Sequence, residues 1–133
     1  MKSLLIGSAC ALVVAMAAPA AAHHSAAGMD RTKSVTIVGT VKQFSWSNPH
    51  SWLEIDVPND KGGADKWTVE MTAPSYLVRA GWKSSTVKAG DKVSVILRPM
   101  RNGDPGGLLV SIALPDGRTL TERAIQPPAA PAP

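Results

Sequence analysis

Three histidines are the most chemically distinctive groups of this 133-residue chain. His23 and His24 directly follow the small-residue stretch Ala18 to Ala22, and His50 follows Asn48-Pro49. A cut after Ala22 makes His23 the first residue, with a free amine beside its own imidazole. That amine gives up its proton far more readily than a lysine does, so one residue offers a metal two nitrogens. His50 could then complete a T-shaped three-nitrogen site, a histidine brace. A cut after Ala20 instead makes His23 the third residue, where amine, two amides and imidazole form a square-planar site. Amine and imidazole nitrogens favour copper, nickel or zinc, and copper(II) binds tightest of the divalent ions. The plainer alternative leaves His23 and His24 as polar residues on an arm and His50 as a turn residue.

Other side chains could support such a site. Asp30 is placed to position the arm or act as an accessory ligand. His50, Trp52 and Glu54 share one strand face, and Glu70 lies on the next strand. Either glutamate could orient a ligating histidine through its second ring nitrogen; otherwise both belong to a solvated face, paired across strands with lysine or arginine. Trp46, Trp52, Trp67 and Trp82 read as barrel core or rim, with Trp46 and Trp52 alternatively a stacking platform for a sugar, peptide or base. Met29, Met71 and Met100 are soft thioethers, but they are scattered without a Met-x-x-Met pattern and read as core filling. The chain has no phosphate-binding glycine loop, and Ser25 and Ser51 beside histidines define no triad. The expectation is a non-enzyme. The one catalytic alternative is a copper-dependent oxidoreductase with an open metal position.

These groups need a scaffold, and the sequence supplies it after a leader. Residues 1–22 read as a signal peptide: Lys2 is the positive region, Leu4 to Ala18 the apolar run, and small residues fill the cleavage positions. The apolar run is short against the roughly 20 residues of a membrane span. The mature protein is expected in the periplasm or outside the cell, without membrane insertion. Cys10 leaves with the leader, so neither disulfides nor thiolate ligands are available. Loss of Lys2 lowers the formal charge of +4 by one, a mild basicity that solubility alone accounts for. Export argues against a nucleic-acid partner.

The remaining length, about 110 residues, suits one domain with a modest core. Residues 23–33 form a polar arm with one apolar contact, Met29. Val35, Ile37, Gly39 and Val41 then alternate with Thr36, Val38, Thr40 and Lys42, the period of a strand, with Gly39 marking a bend or bulge. A turn at Ser47-Asn48-Pro49 leads to a second strand, Ser51 to Val57, and a loop at Pro58 to Gly63 to a third around Trp67, Val69 and Met71. Ala73 to Trp82 predicts a short helix, with Thr72 as N-cap, Pro74 in the first turn, Gly81 at the end, and Tyr76, Leu77 and Ala80 on the apolar face. Lys92 to Leu97 and Leu108 to Leu114 predict two more strands, separated by a flexible Arg101 to Gly107 loop, and Thr119-Leu120 a terminal one. The domain closes near Ile125, and residues 126–133 form an extended Pro/Ala-rich tail. Three strands, a helix, then two or three strands is the order of a small OB-type Greek-key barrel, mainly β. An open sandwich of similar size is the alternative.

Taken together these segments resemble a family of small exported bacterial proteins, domain of unknown function 6152. The matching pieces are His23-His24-Ser25, Asp30, Val35 to Val41, and Trp46-Ser47-Asn48-Pro49-His50-Ser51-Trp52. Trp67-Thr68-Val69-Glu70, Arg79-Ala80-Gly81-Trp82 and Gly90-Asp91-Lys92-Val93 complete them. Ala26 stands where such proteins are expected to carry an aromatic residue. The resemblance implies an exported soluble domain and brings no activity with it. The functional expectation is therefore copper binding, or that of another divalent transition metal, through His23, His24 and His50. The alternative is an OB-type binding module for a peptide, glycan or envelope protein.

Overall fold

The alternating, β-branched run that begins at Val35 becomes an 11-residue strand, β1 (Val35–Ser45), long enough to serve two neighbours. The computed structural model describes residues 26–123; the segment expected to be a leader, His23, His24 and the residues beyond Arg123 lie outside them. Five further strands follow: β2 (Trp52–Pro58), β3 (Ala64–Glu70), β4 (Lys92–Pro99), β5 (Gly106–Ala113) and β6 (Thr119–Thr121). The first half of β1 pairs with β4 from Val35↔Leu97 to Thr40↔Lys92. Its second half pairs with β2 from Thr40↔Asp56 to Ser45↔Trp52. β2 and β3 form a hairpin, β4 and β5 another, and a parallel pairing of β3 with β5 joins the two ends. The ring β1-β2-β3-β5-β4 is therefore closed, which removes the exposed edges an open sheet would have. β6 extends β5 outside the ring.

Glycines set how closely the strands approach. A Cβ on Gly39 would lie 2.5 Å from the Asp56 carbonyl oxygen and 2.7 Å from Ile55 Cγ2. Gly39 is thus a close-approach residue, and the expected bulge falls instead between Val41 and Gln43. A Cβ on Gly107 would collide with the Arg98 carbonyl oxygen and lie 2.7 Å from Leu97 Cδ1. Gly106 and Gly107 open β5 rather than ending a flexible loop.

The barrel interior holds Ile37, Val41, Leu53, Ile55, Val69, Val95, Leu97 and Ile112, each fully buried aliphatic side chain contributing about 1.5–3 kcal/mol. One end is closed by helix α1 (Pro74–Arg79) and the segment after it, through Leu77 and Trp82, 0% and 1% exposed. Trp82 Nε1 donates to the Thr121 carbonyl at 2.8 Å, tying this plug to β6. Two details depart from the expected helix. Ala73, not Thr72, is the N-cap, and no side chain caps it; the Thr72 N–H donates instead to Glu122 Oε2 at 3.1 Å. Tyr76 is 56% exposed, because a helix this short turns only one residue, Leu77, fully into the barrel. No helix among the described residues is long and apolar enough to cross a membrane.

Candidate functional site

Strand pleating sends Leu53, Ile55 and Val69 inward and leaves Trp52, Glu54, Thr68 and Glu70 on the outer face of the β2–β3 hairpin. Backbone pairing runs on past the hairpin's open end, where Ser51 N donates to Thr72 O at 3.2 Å and Met71 N to Ser51 O at 2.9 Å. This holds His50 beside the end of β3. His50 Nδ1 lies 3.0 Å from the Met71 carbonyl oxygen and 3.1 Å from Glu70 Oε1. A carbonyl can only accept, so Nδ1 carries the proton and donates to Met71. Nε2 is then the nitrogen whose lone pair is available in the neutral ring. The ring is 40% exposed, so a ligand can reach it.

The two outer-face glutamates have opposite fates. Glu54 pairs with Lys66 at 2.8 Å on a partly solvated surface. Glu70 is 1% exposed, and neither of its carboxylate oxygens takes a hydrogen bond. Beside it, burial pushes the Glu122 carboxyl above its usual range. The Thr72 N–H and the Arg123 charge oppose that rise, the neighbouring Glu70 adds to it, and His50 works against it. His50, Glu70 and Glu122 are thus electrostatically coupled at one end of the barrel. Asp30 does not join them. Its carboxylate accepts from Thr32 Oγ1 at 2.6 Å and Thr32 N at 3.0 Å and meets Lys33 Nζ at 3.4 Å. These bonds hold it below the usual carboxylate range, first through the Thr32 hydroxyl. Asp30 positions the arm by closing a turn.

The arm itself returns to the barrel at Met29, which forms a bridge with Met100. Met29 and Met100 line one cavity of about 320 Å³ together with Trp52, Glu70, Gly106 and Gly107. Sequence spacing gave no sign of this pairing, because the two methionines meet only through the tertiary fold. A cleft of about 380 Å³ near Lys83 and Arg118 contains none of the candidate metal, accessory or platform residues. Trp46 and Trp52 do not form a common platform. Trp46 packs on the core, its ring edge-on to Phe44 at 5.7 Å, whereas Trp52 lines the outer cavity.

His23 and His24 lie outside the described residues, so their distance from His50 is not part of this geometry. Among the described residues no group of three or more His, Cys, Asp or Glu side chains is placed to hold a metal ion.

The ring of five strands with a helix between the third and fourth is an OB-type barrel, here with one added strand. The chain belongs to the family described as "Family of unknown function (DUF6152)", whose model matches residues 10–110. Comparison with curated proteins gave no match. Among solved structures the chain is similar to the mitochondrial single-stranded DNA-binding protein of S. cerevisiae, at 15% identity and a TM-score of 0.48. That match covers 62% of this chain and 93% of the yeast one. A selenomethionine-labelled crystal of the same yeast protein matches at 16% identity and a TM-score of 0.43, covering 62% and 92%.

Proposed function

We propose that this protein is an exported, non-catalytic copper-binding domain in which His23, with its terminal amine or the adjoining amides, and His24 act with His50. The observation that carries this reading is the state of His50. Its Nδ1–H is engaged by the Met71 carbonyl and flanked by Glu70 Oε1, 3.0 and 3.1 Å away. Metal-ligating histidines are commonly fixed in this way, by a carbonyl or carboxylate on the nitrogen that does not bind the ion. Chain length is also compatible. Met29 stands five positions after His24 in the sequence, and a segment of that length spans at most about 18 Å. Met29 lines the same cavity as Glu70, the residue that flanks His50. Copper(II) is the preferred ion because the donors are nitrogens and no thiolate remains after loss of Cys10.

The rival reading, a module for a peptide, glycan or envelope protein, has Trp52 at the outer cavity, while Trp46 is partly buried and packs against the core. The single-stranded DNA named for the yeast protein is not carried over, because likeness at 15% identity speaks only to fold.

The test is the secreted protein, made without a tag. Intact mass fixes its first residue, and copper(II) titration at micromolar concentration then measures uptake. One bound equivalent that disappears in His23→Ala supports the reading. No uptake, or uptake indifferent to His23→Ala, His24→Ala and His50→Ala, overturns it.

A further inference from the structure

The Met29–Met100 contact has a geometry that spacing in the sequence could not announce. Asp30 N donates to Pro99 O and Arg101 N to Gly28 O, both at 2.8 Å. The hydrogen bonds thus flank the pair instead of joining it, so Met29 and Met100 are a non-hydrogen-bonded pair of an antiparallel bridge. In such pairs the Cα atoms stand about 4.5 Å apart and the side chains are at their closest. The two methionine side chains are therefore neighbours on one face, and both line the same cavity. Trp52 and Glu70 line the same cavity. The Glu70 carboxylate is 1% exposed and takes no hydrogen bond among the described residues, its nearest basic neighbour being the His50 ring at 3.1 Å.

Each feature has an ordinary role alone; together they select a narrow class of ligand. A buried carboxylate that takes no hydrogen bond favours a cation beside it, and Asp104 on the same recess adds to that preference. Calcium and magnesium need six or more oxygen ligands, and the oxygen-bearing side chains of this recess are only Glu70, Asp104 and Thr68, with both Glu70 oxygens buried. Zinc sites of structural type use cysteine and histidine, and neither lines the cavity. Thioethers are soft ligands that select copper(I), and an indole face attracts a desolvated cation. We infer that the recess of Met29, Met100, Trp52 and Glu70 is a site for a soft monovalent cation, copper(I). It adjoins the nitrogen site proposed at the arm, since Glu70 borders both, but it takes thioether donors in place of nitrogens. Gly106 keeps the recess open: a Cβ there would lie 2.8 Å from Thr68 O and 3.7 Å from Met100 Cγ.

Silver(I), a redox-inert d10 ion, is the probe. The tag-free mature protein should retain one silver ion in native mass spectrometry, and tryptophan emission should change as it binds. Met29→Leu and Met100→Leu conserve volume and should each weaken silver binding at least tenfold, as should Glu70→Gln. His23→Ala/His24→Ala should lose copper(II) but keep silver(I), which separates this site's failure from failure of the nitrogen site. A second measurement uses the unmodified sequence: bound silver should protect Met29 and Met100 from peroxide oxidation, read by peptide mass. Protection of Met71 or of no methionine, silver retention unchanged in both leucine variants, or silver loss in the double histidine variant overturns the inference.

Discussion

Trp52 and Glu70 are direct partners across the β2–β3 ladder, yet Glu70, on the face the pleat turns away from the core, is 1% exposed. The cover comes from outside the hairpin. Met29 and Met100 line the recess over this pair, and Gly106 and Gly107 at the start of β5 border it. An outer-face carboxylate is thereby moved from water into an apolar recess. Burial of a charge without hydrogen bonds is among the costlier features a fold can carry.

That cost is measurable. Removing a buried carboxylate that takes no hydrogen bond relieves a desolvation cost on the order of several kcal/mol per ion, offset in part by the loss of its contact with His50. Glu70→Leu should therefore raise the stability of the metal-free protein by about 1–3 kcal/mol in urea unfolding at pH 7. A loss of stability in this variant would mean that the carboxylate holds the fold together.

His50 offers the complementary experiment. With Nδ1 committed to the Met71 carbonyl, its removal should take one nitrogen from a copper(II) site while leaving the barrel intact. His50→Ala should weaken copper(II) at least tenfold. Glu70→Gln, which keeps the ring but alters its flank, should weaken it by about 10–100-fold. Isothermal titration with copper(II) measures both, and a thermal melt of each variant verifies the fold. Unchanged affinity in His50→Ala would remove this ring from the site.

Much of the barrel was legible in the sequence because its strands carry their period openly. Thr36 and Val38 alternate with buried Ile37, Gly39 and Val41, and Pro74 opens the helix between β3 and β4. What escaped depends on segments that meet only in the fold. The alternation that placed Glu54 and Glu70 together outside the barrel could not distinguish them, since only Glu70 borders the recess that Met29 and Met100 also line. Thr72 has the chemistry of an N-cap, but its N–H is taken by Glu122, 50 residues on. Asp30 was readable in retrospect: an aspartate two residues before a threonine is a common turn closure, and that turn consumes its carboxylate.

The closure of the ring makes a sharp packing prediction. A Cβ on Gly107 would be driven into the Arg98 carbonyl, backbone that cannot yield as a flexible side chain can. Gly107→Ala should cost about 1–3 kcal/mol or more, since overpacking forces strands apart. Gly28 is the control, because a methyl group added there would meet nothing within 4 Å; Gly28→Ala should stay within about 0.5 kcal/mol of the parent. Urea midpoints compare the two, and equal midpoints would show that β4 and β5 can separate freely.

Glu122 makes the pH dependence of folding testable. Burial raises its carboxyl above the ordinary value of 4.5, against the pull of the Thr72 N–H and Arg123, with Glu70 raising it further and His50 lowering it. The folded state therefore holds this proton more tightly than the unfolded chain. By linkage the favourable contribution is complete below the unfolded value and is lost as pH rises through the folded one. Glu122→Gln cannot ionise, yet its amide oxygen can still accept from Thr72. Its stability should fall less than that of the parent between about pH 4 and pH 7, the window above the unfolded value, measured as urea midpoints across that range. The parent losing no more than the variant would mean that Glu122 ionises alike in both states. A parent that gains stability relative to the variant as pH rises would reverse the sign, with the Thr72 and Arg123 contacts outweighing burial.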